Sequence, residues 1–198
     1  MMKMPTKTNV ICSLACGLAL SVASANSAQA QAAAQPYAGQ QSRPIKSLSE
    51  SDVSSLLTGQ GAGLAKAAEL NGYPGPAHTL ELQVPLRLSA EQVTASTALM
   101  AEHKSRAMQI GAEVVAAERR LDALFADRRA DAAAVENVTR EVAVLQARLR
   151  AEHLNTHLLQ TALLSAKQVE QYSLLRGYSG AATSASPTAA PTSGHRHH

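Results

Sequence analysis

The feature that most restricts the fold of this chain is a pair of long apolar patterns with helical spacing. The first runs from Ser89 to about Phe125 and the second from about Ala132 to Leu163. In each, apolar residues recur every three or four positions with charged residues between them, which indicates an amphipathic helix. The polar segment 126–131 is a short turn, so the two helices must run antiparallel. The sequence therefore predicts an all-α protein built on a long helical hairpin.

Shorter helices are expected on either side of the hairpin. Segments 47–57 and 63–70 have helical patterns, and Pro76 is well placed to open a further helix that Pro85 should end or kink. A final short helix follows the second long pattern and ends near Arg176. No segment after residue 30 has the alternating pattern of a β-strand.

One six-residue motif occurs twice, as LSAEQV at the start of the first long helix and LSAKQV at the start of the last short one. A serine hydroxyl at the beginning of a helix accepts from backbone N–H groups that have no partner within the helix. A glutamine three residues later reaches back to the serine N–H and completes a capping box. The residues of the two predicted boxes are Leu88, Ser89 and Gln92, and Leu164, Ser165 and Gln168.

The first 30 residues have the composition of a secretory signal peptide. Lys3 and Lys7 precede a short apolar run, and small residues follow at two candidate cleavage sites, after Ala25 or after Ala30. We favour cleavage after Ala30. Because the apolar run is shorter than the roughly 20 residues of a transmembrane helix, we expect a periplasmic protein with no membrane span after cleavage.

The rest of the chain divides by composition into three parts. Residues 31–47 lack an apolar period and are expected to be a flexible lead-in, whereas residues 48–178 form the helical domain. Residues 179–198 are low in complexity and are expected to be disordered. The tail ends in a histidine-rich run that could hold metal loosely or could be an added tag (His195, His197, His198).

Charge and motif content argue against several function classes. The chain has 18 Lys and Arg residues against 15 Asp and Glu, two of the lysines lie in the signal peptide, and no basic patch contains interleaved aromatic residues. Nucleic acid is therefore not an expected partner. Both cysteines, Cys12 and Cys16, also lie in the signal peptide, and neither G-x-S-x-G nor H-E-x-x-H occurs. The glycines around Gly61 lack the spacing of a phosphate-binding loop. We expect no enzymatic activity and no required cofactor.

The core of the helical domain is expected to be thin. The chain is rich in alanine, with one Phe and no Trp, so helices form easily but little apolar volume is available to fill the space between them. Association of two copies would stabilise such a domain, and we therefore expect a homodimer.

Histidines supply the candidate metal ligands. His153 and His157 are four residues apart and share one face of a helix. With the turn centred near Arg128, His103 lies opposite His153, and His157 falls near Met100. Three imidazoles and a thioether suit zinc, copper, nickel or cobalt. The alternative is that the histidines on the apolar stripes are buried, neutral and hydrogen-bonded to neighbours.

The chain resembles the Spy/CpxP-like periplasmic proteins over about residues 60–178. LSAEQ and LSAKQ resemble the paired LTxxQ motifs of that family, with Ser in place of Thr. The stretch AELNGYPGPAHTLEL before the first motif is similar to the refolding-chaperone branch. The resemblance implies a cradle-shaped helical homodimer, in which the six motif residues tie the ends of the hairpin together.

The resemblance also implies two alternative functions. The first is an ATP-independent chaperone, or holdase, that shields unfolding client proteins on its helical surface. The second is a periplasmic sensor or buffer of heavy metals, as in the ZraP- and CnrX-type relatives of the family. In this chain the second function would depend on the set His103, His153, His157 and Met100.

Overall fold

The computed structural model describes residues 35–178, and within this range the protein is all-α, as predicted. The helices of this part of the chain are α1 (Glu50–Thr58), α2 (Lys66–Glu69), α3 (Pro76–Glu81), α4 (Ala90–Ala126), α5 (Ala132–Ala162) and α6 (Ala166–Leu175). The signal peptide predicted at 1–30 and the tail at 179–198 lie outside the described residues. Within residues 35–178, no helix is both long enough and apolar enough to cross a membrane.

The described residues fall into two compact units. Residues 35–38 belong to the first unit and form a turn, in which the Ala38 N–H donates to the Gln35 carbonyl oxygen at 2.9 Å. The second unit begins at Gly39 and contains all the helices of the described range.

Helices α4 and α5 form the predicted antiparallel hairpin, and their ends differ from the prediction by no more than one residue. The Asp131 carboxylate accepts from the Ala134 N–H at 2.8 Å and so caps the start of α5. Arg128 adopts a left-handed conformation with φ of 57°, which helps the chain reverse direction between the two helices.

A small apolar core holds the hairpin together, and Leu56 of α1 packs against it (Val114, Ala117, Val142, Leu145). Gly111 of α4 makes the close approach of α1 possible. A Cβ atom at this position would lie only 2.0 Å from the Leu56 carbonyl oxygen. A glycine inside a helix costs stability by itself, so at this point close packing outweighs helix propensity.

The segment 31–47, predicted to be a flexible lead-in, ends in a stretch that is held against α4. Ile45 is buried, and the Lys46 side chain forms an ion pair with Asp122 at 3.0 Å. The Ser47 hydroxyl donates to the buried Glu118 carboxylate at 2.8 Å. The sequence does not indicate these contacts, because an isolated apolar residue followed by two polar residues has no periodic pattern.

Three of the short helices differ from prediction, and the first, α1, begins at Glu50 rather than at residue 47 because Ser49 caps it. Helix α2 begins at Lys66 rather than at residue 63, because Gly63 has a φ of 82° that a helix does not allow. Helix α3 ends at Glu81 and does not reach Pro85, so this proline neither ends nor kinks a helix. The chain instead turns back and buries Leu86, whose N–H donates to the Leu82 carbonyl oxygen at 3.0 Å.

Candidate functional site

Both copies of the repeated motif form capping boxes. The Ser89 hydroxyl oxygen accepts from the Gln92 N–H at 3.2 Å, and the Ser165 oxygen accepts from the Gln168 N–H at 3.3 Å. Each glutamine Oε1 accepts in return from the serine N–H, at 3.0 Å in the first box and 2.9 Å in the second. The first residues of the two motifs are half-buried (Leu88, Leu164).

The two boxes are also joined to each other. The Nε2 of Gln92 donates to Oε1 of Gln168 at 2.9 Å, and the Nε2 of Gln168 donates to Oε1 of Gln92 at 2.9 Å. The same amide groups donate to the carbonyl oxygens of Leu163 at 2.8 Å and Leu86 at 3.2 Å. This network links the beginning of α4 to the beginning of α6 and to the turn that precedes α4.

The structure brings His103 of α4 and His153 of α5 into contact in the interior of the hairpin. Their ring centroids are 4.6 Å apart and the rings meet edge to face at 72°. Both residues are buried, with exposed fractions of 6% and 4%. Burial, with a further contribution from His103, lowers the pKa of His153 from 6.5 to about 4. At neutral pH, therefore, His153 is uncharged.

Hydrogen bonds fix the orientation of the His103 ring. Its Nδ1 lies 3.2 Å from Oε1 of Glu152 and 3.0 Å from Oγ1 of Thr156. Because a carboxylate can only accept, Nδ1 carries the proton. Arg106 Nε donates to the same Glu152 oxygen at 2.9 Å. Burial alone would raise the pKa of Glu152, but hydrogen bonds from Arg106 and His103 hold it below its ordinary value.

His157, on the same face of α5 as His153, is held by the loop before α3. Its Nδ1 donates to the Tyr73 carbonyl oxygen at 2.7 Å. Gly75 lies against the imidazole ring, since a Cβ at this position would come within 2.7 Å of the His157 Cε1 atom. No sequence pattern indicates this contact, which joins residues 84 positions apart.

All four predicted metal ligands line one cleft of about 840 Å³, which we call the histidine cleft (Met100, His103, His153, His157). Its other walls come from the loop between α1 and α2, the first turn of α3, and Tyr178 at the end of the described chain. The four residues border one cleft, whereas no sequence pattern indicated the segments that enclose them.

The imidazole rings are not arranged as a preformed metal centre. In the described part of the chain, no group of three or more His, Cys, Asp or Glu side chains is placed to hold a metal ion. The donor chemistry is nevertheless suitable. His103 and His157 carry their proton on Nδ1, which leaves Nε2 available in the neutral ring. The buried Nε2 of His153 has no hydrogen-bond partner.

A half-buried carboxylate that no sequence pattern indicated, Glu69, organises the far side of the histidine cleft. Glu69 accepts from the Tyr172 hydroxyl at 2.5 Å and from the Tyr178 hydroxyl at 3.2 Å. The Nε of Arg176 and the Nδ1 of His78 each lie 3.5 Å from the same oxygen. Burial and the bond to Glu69 raise the pKa of Tyr172, so its hydroxyl stays protonated as a donor.

A separate apolar surface lies on α5, on the side opposite α4. Val144 and Leu158 are 54% and 52% exposed. Helical spacing places them on one line with further apolar residues, and we call this surface the α5 stripe (Val144, Ala147, Ala151, Leu154, Leu158, Ala162). The residues that face α4, such as Leu149, lie about half a turn away. The sequence contains this second line of apolar residues, although the pattern facing α4 dominates the periodicity.

Comparison of the chain with protein-family models, with curated proteins and with solved structures gave no match. The resemblance to Spy/CpxP-like proteins therefore continues to depend on the paired motif and its surroundings.

Proposed function

We propose that this protein is a periplasmic, ATP-independent chaperone that shields unfolding client proteins on the α5 stripe. The exposure of this stripe is the observation that carries the proposal. Soluble proteins expose many single apolar residues, but a continuous exposed apolar surface commonly marks an interaction site. From Val144 to Ala162 the stripe is about 27 Å long, which matches an extended client segment of roughly eight residues.

The mechanism is passive and needs no nucleotide. Burial of apolar surface stabilises a complex by about 25 cal/mol per Å², so a shallow stripe gives weak, reversible capture. Arg148 lies beside the stripe, where it forms an ion pair with Glu113 at 3.2 Å and remains half exposed. A mixed apolar and charged surface of this kind fits unfolded segments of many sequences, which is what a general holdase requires.

A homodimer is part of this proposal. The apolar core of the hairpin is small, and a second copy would add buried surface as well as a second stripe. Light-scattering measurement of the molecular mass over a dilution series tests this part separately. We expect twice the chain mass at micromolar concentration; a single-chain mass at every concentration would contradict the dimer but not the chaperone activity.

The activity is tested by light scattering from a client protein that aggregates on dilution from urea, in the presence of EDTA and without nucleotide. We expect the protein to suppress aggregation at a near-equimolar ratio. The double variant Val144→Glu/Leu158→Glu should need roughly thirtyfold more protein for the same effect, since it removes about 1 kcal/mol of contact at each site.

The matched control carries the same two added charges on another face. Ser105 and Gln109 are exposed on α4, so Ser105→Glu/Gln109→Glu should suppress aggregation as well as the unmodified protein does. Equal loss in both double variants would assign the effect to net charge. A stripe variant that becomes monomeric yet remains fully active would assign the stripe to the dimer interface and overturn its role in client binding.

Binding of a transition metal is the second candidate function, and the convergence of four ligands on the histidine cleft favours it. The Nδ1 atoms of His103 and His157 bond to protein oxygens, an arrangement that commonly orients Nε2 toward a metal. His153 supplies a buried nitrogen without a partner. Because the rings must turn to share one ion, the affinity should be lower than that of a preformed centre.

Zinc titration by calorimetry tests this second function. The triple variant His103→Ala/His153→Ala/His157→Ala should lose at least about tenfold in affinity. The control variant replaces the tail histidines with alanine and should keep the tight site (His195, His197, His198). Affinity that is unchanged in the first variant, or lost only in the second, would remove the histidine cleft as a metal site.

A further inference from the structure

We propose that the histidine cleft binds a small amphipathic anion, a molecule with an apolar body and a single carboxylate or sulfonate group. This proposal is independent of the chaperone function, which depends on a different face of α5. The volume of about 840 Å³ lies within the range of roughly 300–1,000 Å³ typical of small-molecule sites. Its walls come from the loop between α1 and α2, from α2, from the first turn of α3 and from the two long helices.

The charges around the cleft favour an anion. Lys66 and Lys104 lie on its walls, and neither forms an ion pair with another residue of the described chain. The one carboxylate among the residues that line the cleft, Glu69, pairs with Arg176 at 3.5 Å and accepts from two tyrosine hydroxyls, all through Oε1, whereas its buried Oε2 has no hydrogen-bond partner. The histidine at the centre, His153, is neutral because burial lowers its pKa to about 4. Two uncompensated positive charges therefore remain.

The remaining wall is apolar. Leu70, which borders the cleft, is 57% exposed, and Met100, which also lines it, is half-buried. An apolar ligand body would cover this surface and gain free energy from its removal from water. His153 also lines the cleft, and its buried Nε2 is a polar atom that has no hydrogen-bond partner in the described chain. A simple inorganic anion would leave the apolar wall uncovered, and a neutral apolar molecule would leave both lysines unused.

Calorimetric titration with decanoate, in EDTA and below its aggregation concentration, tests the proposal on the full chain. We expect one molecule bound per chain and little binding of decyltrimethylammonium, which has the same tail and the opposite charge. The variant Lys66→Glu/Lys104→Glu should weaken decanoate binding by at least about tenfold, and Lys66→Gln/Lys104→Gln by a smaller factor of about three.

The matched control makes the same change in charge away from the cleft. Arg119 and Lys167 are exposed and do not line it, so Arg119→Glu/Lys167→Glu should bind decanoate normally. The stripe variant Val144→Glu/Leu158→Glu should also bind decanoate normally, which separates this site from the chaperone surface. Equal binding of the two surfactants, equal loss in the control, or binding that occurs only when metal is added would each overturn the proposal.

Discussion

Gln92 and Gln168 each donate a side-chain amide hydrogen to the other's carbonyl oxygen, at 2.9 Å in both directions. Each of these residues also completes the capping box of its own helix. The repeated motif is thus more than two independent helix starts. The two capping boxes form a nearly symmetric contact at one end of the hairpin. In it, the side-chain amide of each glutamine both donates a hydrogen bond to the other and accepts one from it.

The reciprocal contact predicts energetic coupling between the two motifs. Gln92→Ala and Gln168→Ala should each lower the free energy of unfolding by about 2 kcal/mol, since each leaves half-buried partners without hydrogen bonds. The double variant should be less destabilised than the sum of the two by about 1 kcal/mol. Urea denaturation measures these values, with the neighbouring exposed Gln171→Ala as the control. Strict additivity would contradict the contact.

We expect the substitution Gly111→Ala to change the stability of the protein in the direction opposite to that predicted by helix propensity. In an exposed helix, Gly→Ala stabilises by about 1 kcal/mol. At position 111 the new Cβ would lie 2.0 Å from the Leu56 carbonyl oxygen, so α1 must move away and its packing is lost. We expect Gly111→Ala to destabilise the protein by about 2 kcal/mol or more, whereas Ala112→Gly at the adjacent exposed position should cost about 1 kcal/mol. A more stable Gly111→Ala protein would show that α1 does not pack there.

The pKa of His153 predicts that acid destabilises the fold well above the range in which carboxylates titrate. The folded-state pKa is about 4 and the ordinary value is 6.5, so between these pH values only the unfolded chain takes up the proton. Stability is therefore full above pH 6.5 and falls as the pH decreases toward 4, by about 3 kcal/mol in total. Denaturant unfolding at a series of pH values measures this loss.

A substitution isolates the contribution of His153 from that of its neighbours. The charged or titratable groups that influence it are His103, Glu152 and His157. The pKa of Glu152 is below its ordinary value of 4.5, so its contribution to stability is lost only as the pH falls below 4.5. His153→Phe keeps a buried ring without a titrating group and should flatten the stability profile between pH 4.5 and 6.5. An unchanged slope would assign the pH dependence to another group.

Because Tyr172 donates a hydrogen bond to Glu69, we expect removal of the Tyr172 hydroxyl oxygen to destabilise the protein strongly. Tyr172 is fully buried, and its hydroxyl lies 2.5 Å from the carboxylate. Tyr172→Phe should cost about 2 kcal/mol, because it leaves the half-buried carboxylate of Glu69 short of one donor. Tyr178→Phe, which removes a 3.2 Å bond, should cost less. Tyr73→Phe changes an exposed ring and serves as the control in thermal unfolding.

The long helices could be predicted from the sequence because they depend on local periodicity. The apolar spacing located α4 and α5 to within one residue, and the polar turn between them set a register that placed His153 opposite His103. The short elements were less predictable. Helix α3 ends before Pro85 because burial of Leu86 favours a turn, and no local pattern reports on that burial.

The surroundings of the histidines could not be predicted, because they depend on contacts between distant segments. Tyr172 and Glu69 are 103 residues apart, and His157 and Tyr73 are 84 apart. The local patterns of a single sequence do not constrain how short helices and loops pack onto a hairpin. The approximate positions of the histidines could therefore be predicted from the sequence. The contacts of Glu69 and the walls of the histidine cleft could be seen only in the structure.

Site-specific fluorescence tests most directly whether clients contact the α5 stripe. With Cys12 and Cys16, the two cysteines of the sequence, replaced by Ala, a single Leu158→Cys carries a polarity-sensitive dye, and Ser105→Cys on α4 carries the same dye as the control. Unfolded client should shift the emission at position 158 to shorter wavelength and leave position 105 unchanged, and folded client should affect neither. An unchanged emission at position 158, while aggregation is still suppressed, would contradict the stripe as the client-binding surface.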